Sequence, residues 1–488
     1  MRAMFLLTMM AGCGAVTDEP TSSPTSPALT TPPPSSSTTS PTGTDLTSVP
    51  TTPGPVAVPD VWGSAPAEDH DPDPAVVEVH LTAAPTELDL VDGGATPMWA
   101  YNGQVPGPLL QARVGDLLRV VFTNELDEPT TIHWHGLRID NLMDGVPAIQ
   151  DPILPGETFT YEFVLPDAGT YWYHPHMRGH EQIERGLQGP LVVHEAVDPE
   201  VTRDRSFVLD DIALQSDGQH YDFNLSGMDG MHGRHGTYLL TNGSTEMVTG
   251  SIEPGAVERW RLVNTSNARL IHADVQGADW RVVGVDGGIL EVPYDAKDVR
   301  LPVGRRFDLE VIPHADAESV QLEVLLPRVD FGFERYPVFE ALVEGDPVES
   351  PVVEWVAAPL PAREPIEQEV VLELDAAPGF TSMKWLINGE QYGDGEPVPL
   401  QAHVPTRILI SELSGAGHPF HLHGQFFEVV ARNGDTDDIP GPLDTIHVAG
   451  RDELELYTTF DNPGLWMAHC HILEHAELGM MTSLDVTE

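Results

Sequence analysis

Nine of the 21 histidines in this 488-residue chain fall into four short groups, and a tenth follows the last of them closely. They are His133-Trp134-His135-Gly136, His174-Pro175-His176, His418-Pro419-Phe420-His421-Leu422-His423-Gly424 and His469-Cys470-His471, the last followed by His475 and Met480. Each group holds a pair spaced i, i+2, and on an extended strand such residues point to one side of the chain. A single pair means little, because histidines in strands are commonly exposed or satisfied within a core. Four groups are another matter. Burying eight close imidazoles without a metal leaves unsatisfied polar atoms or repelling charges, so the chain has to fold around metal.

The sequence around these groups reads as strands. Val76 to Leu81, Leu117 to Thr123, Phe159 to Leu165, Gly169 to Tyr173 and Pro190 to His194 are short, rich in β-branched or aromatic residues, and separated by Pro-Gly or Asp-Gly turns. Val77, Val79 and Leu81 share one face of the first. The same texture recurs from Ser206 to about Val343 and from Glu369 to the end, with few long amphipathic helical patterns. An all-β chain of three antiparallel sandwiches is expected, over residues 76–196, 197–350 and 351–488. The middle sandwich has scattered histidines but no group.

The last group constrains the chemistry further. In an extended His469-Cys470-His471, the cysteine faces away from its two neighbours. It can therefore serve one metal centre while they serve another. A thiolate, two imidazoles and a weak axial methionine form the ligand set of a blue copper electron-transfer site. Cys470, His475 and Met480 supply three of these locally, and His418 is the natural fourth. The other eight histidines then hold a second centre, joined to the first through the peptide bonds of Cys470.

These four segments resemble the copper-binding segments of the multicopper oxidases, a family that includes laccases, cuprous oxidases and ferroxidases. The resemblance spans about residues 76–488. It implies three cupredoxin-like Greek-key β-sandwich domains and four copper ions. His418, Cys470, His475 and axial Met480 match the type 1 ligands, and His133 and His421 match the type 2 ligands. His135, His174, His176, His423, His469 and His471 match the type 3 pair. The implied reaction takes single electrons from a small reducing substrate and reduces O2 to water, with His469, Cys470 and His471 as the path between centres. All twelve positions are filled, unlike those of copper-free relatives. A copper store or chaperone is the alternative from another class, but storage has no use for a covalent path between two centres.

Protons must reach a buried site where O2 is reduced, so nearby carboxylates matter. Asp144, in Met143-Asp144-Gly145, resembles the acid that relatives place near the type 2 copper, although an Asp-Gly turn reads the same way. Asp444 resembles an acid found near the type 1 histidines. Many bacterial relatives carry Glu directly after the type 1 histidine. Here Ala476 stands there, with Glu477 next, which leaves the proton route open. A laccase-like oxidation of phenols or similar organics is the first expectation for substrate. Cuprous oxidation is the alternative, because Ser226 to Gly236 carries Met228, Met231, His232 and His235, and soft thioethers select Cu(I).

A net charge of −52 excludes nucleic acid as a partner. Residues 1–13 read as an export signal with a lipobox-like end at Cys13, and residues 14–75 as a disordered Thr/Ser/Pro-rich tether. At about 3.1 Å per residue the stretch from Thr21 to Pro59 could span roughly 100 Å. Membrane contact is thus expected only through a lipid on Cys13, with the protein exported to the cell envelope.

Overall fold

The computed structural model describes residues 64–327, 332–358, 360, 362–436 and 439–488. The export signal, Cys13 and most of the Thr/Ser/Pro-rich stretch lie outside the described residues. The tether expected to reach residue 75 is already held from Ser64. The Ser64 hydroxyl donates to Gly107 O at 2.5 Å, Ala67 N donates to Leu109 O, and Leu109 N donates to Ala65 O. Among the described residues no helix is long and apolar enough to cross a membrane.

The fold is three two-sheet sandwiches in series. The first has two four-stranded sheets, and the second and third each pair a six-stranded with a five-stranded sheet. The expected strands appear within one residue of their expected bounds, at Leu117–Asn124, Thr158–Val164, Gly169–His174 and Gly189–His194. The opening strand runs much further, over Val76–Val91, because its two halves have different partners. Val76 to Ala83 pairs with Leu117–Asn124, while Ala83 to Val91 pairs with Gly94–Tyr101.

Alternation of side chains explains why these runs are strands. Along Leu117–Asn124 the buried positions are Leu118, Val120, Phe122 and Asn124, and along Pro405–Glu412 they are Thr406, Ile408, Ile410 and Glu412. Successive residues point to opposite faces, so one face enters the core.

The sandwiches are not purely antiparallel, as the turn-rich sequence had implied. In each, the opening strand lies parallel to a later one: Val76 with Leu117, Arg203 with Glu258, and Gln368 with Thr406. A second parallel pair closes the opposite sheet of each sandwich. The chain crosses between sheets before returning, and a crossover brings strands back in the same direction. Hairpin signals in the sequence report only local pairings, so these were invisible to them.

Three α-helices, each of one turn or little more, occur among the described residues: α1 (Gly179–Gln182), α2 (Met228–His232) and α3 (Leu473–Glu477). α1 and α3 directly follow histidine groups in the chain, and α2 comes against His475 in space. The first sandwich has its own core around Leu81, Phe122, Trp134 and Tyr173, whereas the second and third share one continuous core.

Candidate metal centres

Strand register sets histidine against histidine. His133–His135 pairs antiparallel with Gly169–His174, which puts His133 opposite His174. In the third sandwich His418–Leu422 pairs with Gly464–Cys470, which puts His421 opposite His469 and Phe420 opposite Cys470. The two pairs of strands bring their histidine rings against one another. His135 stacks on His421 with ring centroids 3.8 Å apart, and His133 stacks on His423 at 4.0 Å. His176 lies 5.3 Å from His469 and His471 lies 5.0 Å from His135, centroid to centroid. All eight expected inner histidines are thus in one cluster, and all but half-buried His176 are buried.

The hydrogen bonds of these rings fix which nitrogen carries the proton. Main-chain carbonyls can only accept, so a ring nitrogen facing one must be N–H. Nδ1 of His133 donates to Asp144 O (2.8 Å), that of His174 to Pro175 O (3.0 Å), that of His421 to Asp444 O (3.0 Å) and that of His469 to Cys470 O (2.9 Å). His423 Nδ1 likewise faces the acceptor Asp144 Oδ2 at 2.9 Å. In all five rings Nε2 is left as a bare lone pair. Nε2 of His133, His174 and His421 is buried with no hydrogen-bond partner, and Nε2 of His423 and His469 face each other at 3.0 Å.

Two lone pairs at that separation repel unless a cation lies between them. Protonating the rings is no way out. Burial and the neighbouring imidazoles hold His135, His174, His176, His423 and His471 well below the ordinary imidazole value, and His469 is brought down to about 3. The donor set fits neutral imidazole ligands of a metal cluster.

The outer group forms on the other side of Cys470. His418 Nδ1, His475 Nδ1 and Cys470 Sγ form a triangle with separations of 3.3, 3.4 and 3.8 Å. The opposite nitrogens are committed elsewhere. His418 Nε2 faces Ser414 Oγ at 3.1 Å and the carboxylate of buried Glu412 at 3.6 Å, and His475 Nε2 faces Met231 O at 3.4 Å. Fully buried Met480 accepts from Cys470 N through its carbonyl and donates its own N–H to His475 O. Burial pushes the Cys470 thiol up, so only a strong cation would draw its proton off at neutral pH. These atoms could hold one metal ion.

Both carboxylates singled out in the sequence are buried at the inner group. Asp144 bridges His423 and His133, its Oδ1 lying 3.2 Å from His133 Nδ1. Asp444 corrects an expectation. It lies not beside the outer histidines but against His135 (3.3 Å) and His421 (3.5 Å). Its strand pairs with His418–Leu422 so that Thr445 sits opposite His421, which turns the residue toward the inner cluster. A carboxylate that does lie against the outer group is that of Glu412, which sequence reasoning missed; its inward place in an alternating strand was the available signal.

Ala476 and Glu477 lie at the end of α3. Glu477 is exposed, 3.6 Å from His180. The acid that points inward from this helix is Glu474, bound to Asn267 Nδ2 at 2.9 Å. Met228, Met231 and His232 lie on α2 beside His475 and are exposed, as is His235 beyond its end. Trp385, which carried no signal in the sequence, stacks on His475 at 3.8 Å.

Three stretches match the sequence patterns of multicopper oxidases, over residues 83–198, 213–319 and 363–488. The multicopper oxidase MmcO of Mycobacterium tuberculosis is 29% identical over 452 residues, which cover 84% of this chain and 87% of that protein. The crystal structure of a multi-copper oxidase from Pseudomonas thermotolerans has a TM-score of 0.74 and 32% identity, covering 84% of this chain and 99% of that one. A multicopper oxidase from Campylobacter jejuni, described as a metallo-oxidase, has a TM-score of 0.78 and 28% identity over 87% of this chain and 94% of that one.

Proposed function

The chain belongs to the multicopper oxidase family, and from that premise we propose that its four histidine groups hold four copper ions and that its substrate is Cu(I). Members of the family are copper-dependent oxidoreductases that pass electrons from a reducing substrate to O2. On this reading His418, Cys470, His475 and Met480 are the type 1 ligands. His133 and His421 are the type 2 ligands, and His135, His174, His176, His423, His469 and His471 hold the type 3 pair. The bound copper supplies one-electron redox chemistry at the outer site and four-electron reduction of O2 at the inner one.

The observation that carries the assignment is the set of buried, unprotonated Nε2 atoms turned toward one another, held so by main-chain carbonyls. Each protein group then has a definite task. The carbonyls of Asp144, Pro175, Asp444 and Cys470 fix ring tautomers. The Asp144 carboxylate orients His133 and His423 and is the nearest group on that side able to hold a proton. The Cys470 main chain joins the outer group to His469 and His471 through peptide bonds.

Phenols were the first expectation from sequence, but the surroundings of His475 favour the alternative. In this geometry His475 Nε2, the edge turned away from the outer triangle, is occupied by the Met231 carbonyl, so an organic hydroxyl cannot reach it without moving α2. Met228 and Met231 are spaced i, i+3 on that helix and are 67% and 41% exposed. Two exposed thioethers beside the outer site suit a soft, small, cationic donor.

The test compares steady-state O2 consumption with Cu(I) and with a phenol, in the wild type and in Met228→Leu/Met231→Leu. The variant should raise KM for Cu(I) by roughly ten-fold, equivalent to about 1.4 kcal/mol, and leave phenol oxidation unchanged or faster. Equal Cu(I) kinetics in the two proteins would return the reading to a laccase-like one.

A further inference from the structure

The middle sandwich contributes none of the twelve ligands, yet one of its turns reaches the inner cluster. Residues 302–305 lead into the strand Arg306–Pro313, and Arg306 is fully buried where the three sandwiches meet. All five of its guanidinium hydrogens have acceptors. Nε donates to Thr170 O (2.8 Å) of the first sandwich. Nη1 donates to Gly304 O (3.0 Å) and Asp444 Oδ1 (2.7 Å), and Nη2 to Asp286 O (3.0 Å) and Asp444 Oδ2 (2.5 Å). Its fork thus grips both oxygens of Asp444, a residue of the third sandwich. Asp444 Oδ1 in turn faces His135 and His421 and accepts from Thr445 Oγ1 at 2.8 Å.

Two glycines show how closely this assembly is packed. Gly136, the last residue of the first histidine group, has φ +89°, and a Cβ there would lie 2.6 Å from Asp444 Oδ2 and closer still to Arg306. Gly304 has φ +87°, and its Cβ would lie 2.7 Å from His135 Cε1 and 3.2 Å from His471 Cδ2. Side chains are excluded from both positions by backbone conformation and by space.

We propose that Arg306 is a positioning residue for the inner copper cluster: its bidentate grip fixes Asp444 against His135 and His421, so the ligand-free middle sandwich sets the orientation of two ligands from the other two. A planar fork with five fixed donors does this where a lysine could not, because an ammonium offers a point charge and three donors. The proposal rests on the assignment of His135 and His421 as copper ligands, deepened here by one shell.

The experiment uses the full-length, copper-loaded protein as wild type, Arg306→Lys, Asp444→Asn and the double variant. Three quantities are read: the blue absorbance of the outer site, the type 2 electron paramagnetic resonance signal, and the rate at which O2 reoxidises fully reduced enzyme. Arg306→Lys should keep the blue absorbance, shift the type 2 signal and slow reoxidation by about 10–100-fold, the usual cost of losing a partner behind a metal ligand. Because Arg306 acts through Asp444, the double variant should be no slower than Asp444→Asn alone.

An unaltered type 2 signal and reoxidation rate in Arg306→Lys would overturn the proposal. So would losses that multiply in the double variant, or a blue absorbance lost along with the type 2 signal. Should Arg306→Lys yield no soluble protein, Asp444→Asn carries the test, and an unchanged type 2 signal there overturns it equally. Failure of the underlying copper assignment looks different: the wild type itself would lack the blue absorbance and the type 2 signal.

Discussion

Trp385 lies against His475 with ring centroids 3.8 Å apart and planes 25° apart, and its Nε1–H donates to Gly230 O of α2 at 2.8 Å. One residue further along α2, the Met231 carbonyl faces His475 Nε2. The outer histidine is thus enclosed by an indole on one face and a one-turn helix on its free edge, and the indole holds the helix down. Trp385→Phe keeps an aromatic face but removes the N–H. Losing one such hydrogen bond costs about 1 kcal/mol, so α2 should lift more often. Steady-state kinetics should then show kcat/KM for a bulky phenol rising by about five-fold while KM for Cu(I) worsens. Unchanged phenol kinetics would mean that α2 does not limit access.

Asp144 is fully buried between His133 and His423. Asp144→Asn keeps the shape and the main-chain carbonyl but removes the charge and the capacity to carry a proton. Stopped-flow reoxidation by O2 should slow by about 10–100-fold, while the blue absorbance, which reports the outer group, stays intact. An Asn variant with wild-type turnover would reduce Asp144 to the ordinary turn residue that its Asp-Gly sequence also allows.

Glu184 anchors the segment that follows α2, accepting from Arg234 Nε at 2.9 Å and from Ala213 N at 2.8 Å. Burial pushes its carboxyl from 4.5 up to about 7, outweighing Arg234. Between those two values the folded chain keeps a proton that the unfolded chain releases. Stability contributed by this group is therefore present below pH 4.5 and falls as pH rises to about 7, by about 3 kcal/mol at 1.36 kcal/mol per pH unit. Glu184→Gln should flatten that part of the profile, which denaturant unfolding at pH 5 and pH 8 measures. An identical pH slope in the variant would contradict the assignment.

What could be read from the sequence followed from how local each feature is. The i, i+2 histidines and the outward turn of Cys470 depend only on an extended backbone, and the structure sets all eight inner histidines together and Cys470 against His418 and His475. Strand boundaries such as Leu117–Asn124 followed from alternation. Asp444 was legible as an acid of interest, but its side was not, since that depends on the register of Thr445–Val448 against His418–Leu422. Arg306 and Trp385 were invisible for the same reason. Arg306 meets Asp444 across 138 residues of chain, and Trp385, on the strand Met383–Ile387, meets His475 of the distant helix α3. Nothing in the residues beside either one announces the contact.

The most direct measurement replaces Cys470 with Ser in the copper-loaded protein and follows colour, copper content and O2 consumption together. The account predicts a colourless oxidised protein that retains the inner copper, loses the outer ion and no longer couples substrate oxidation to O2 reduction. A Cys470→Ser protein that stays blue, or that consumes O2 with its substrate at the wild-type rate, would contradict it.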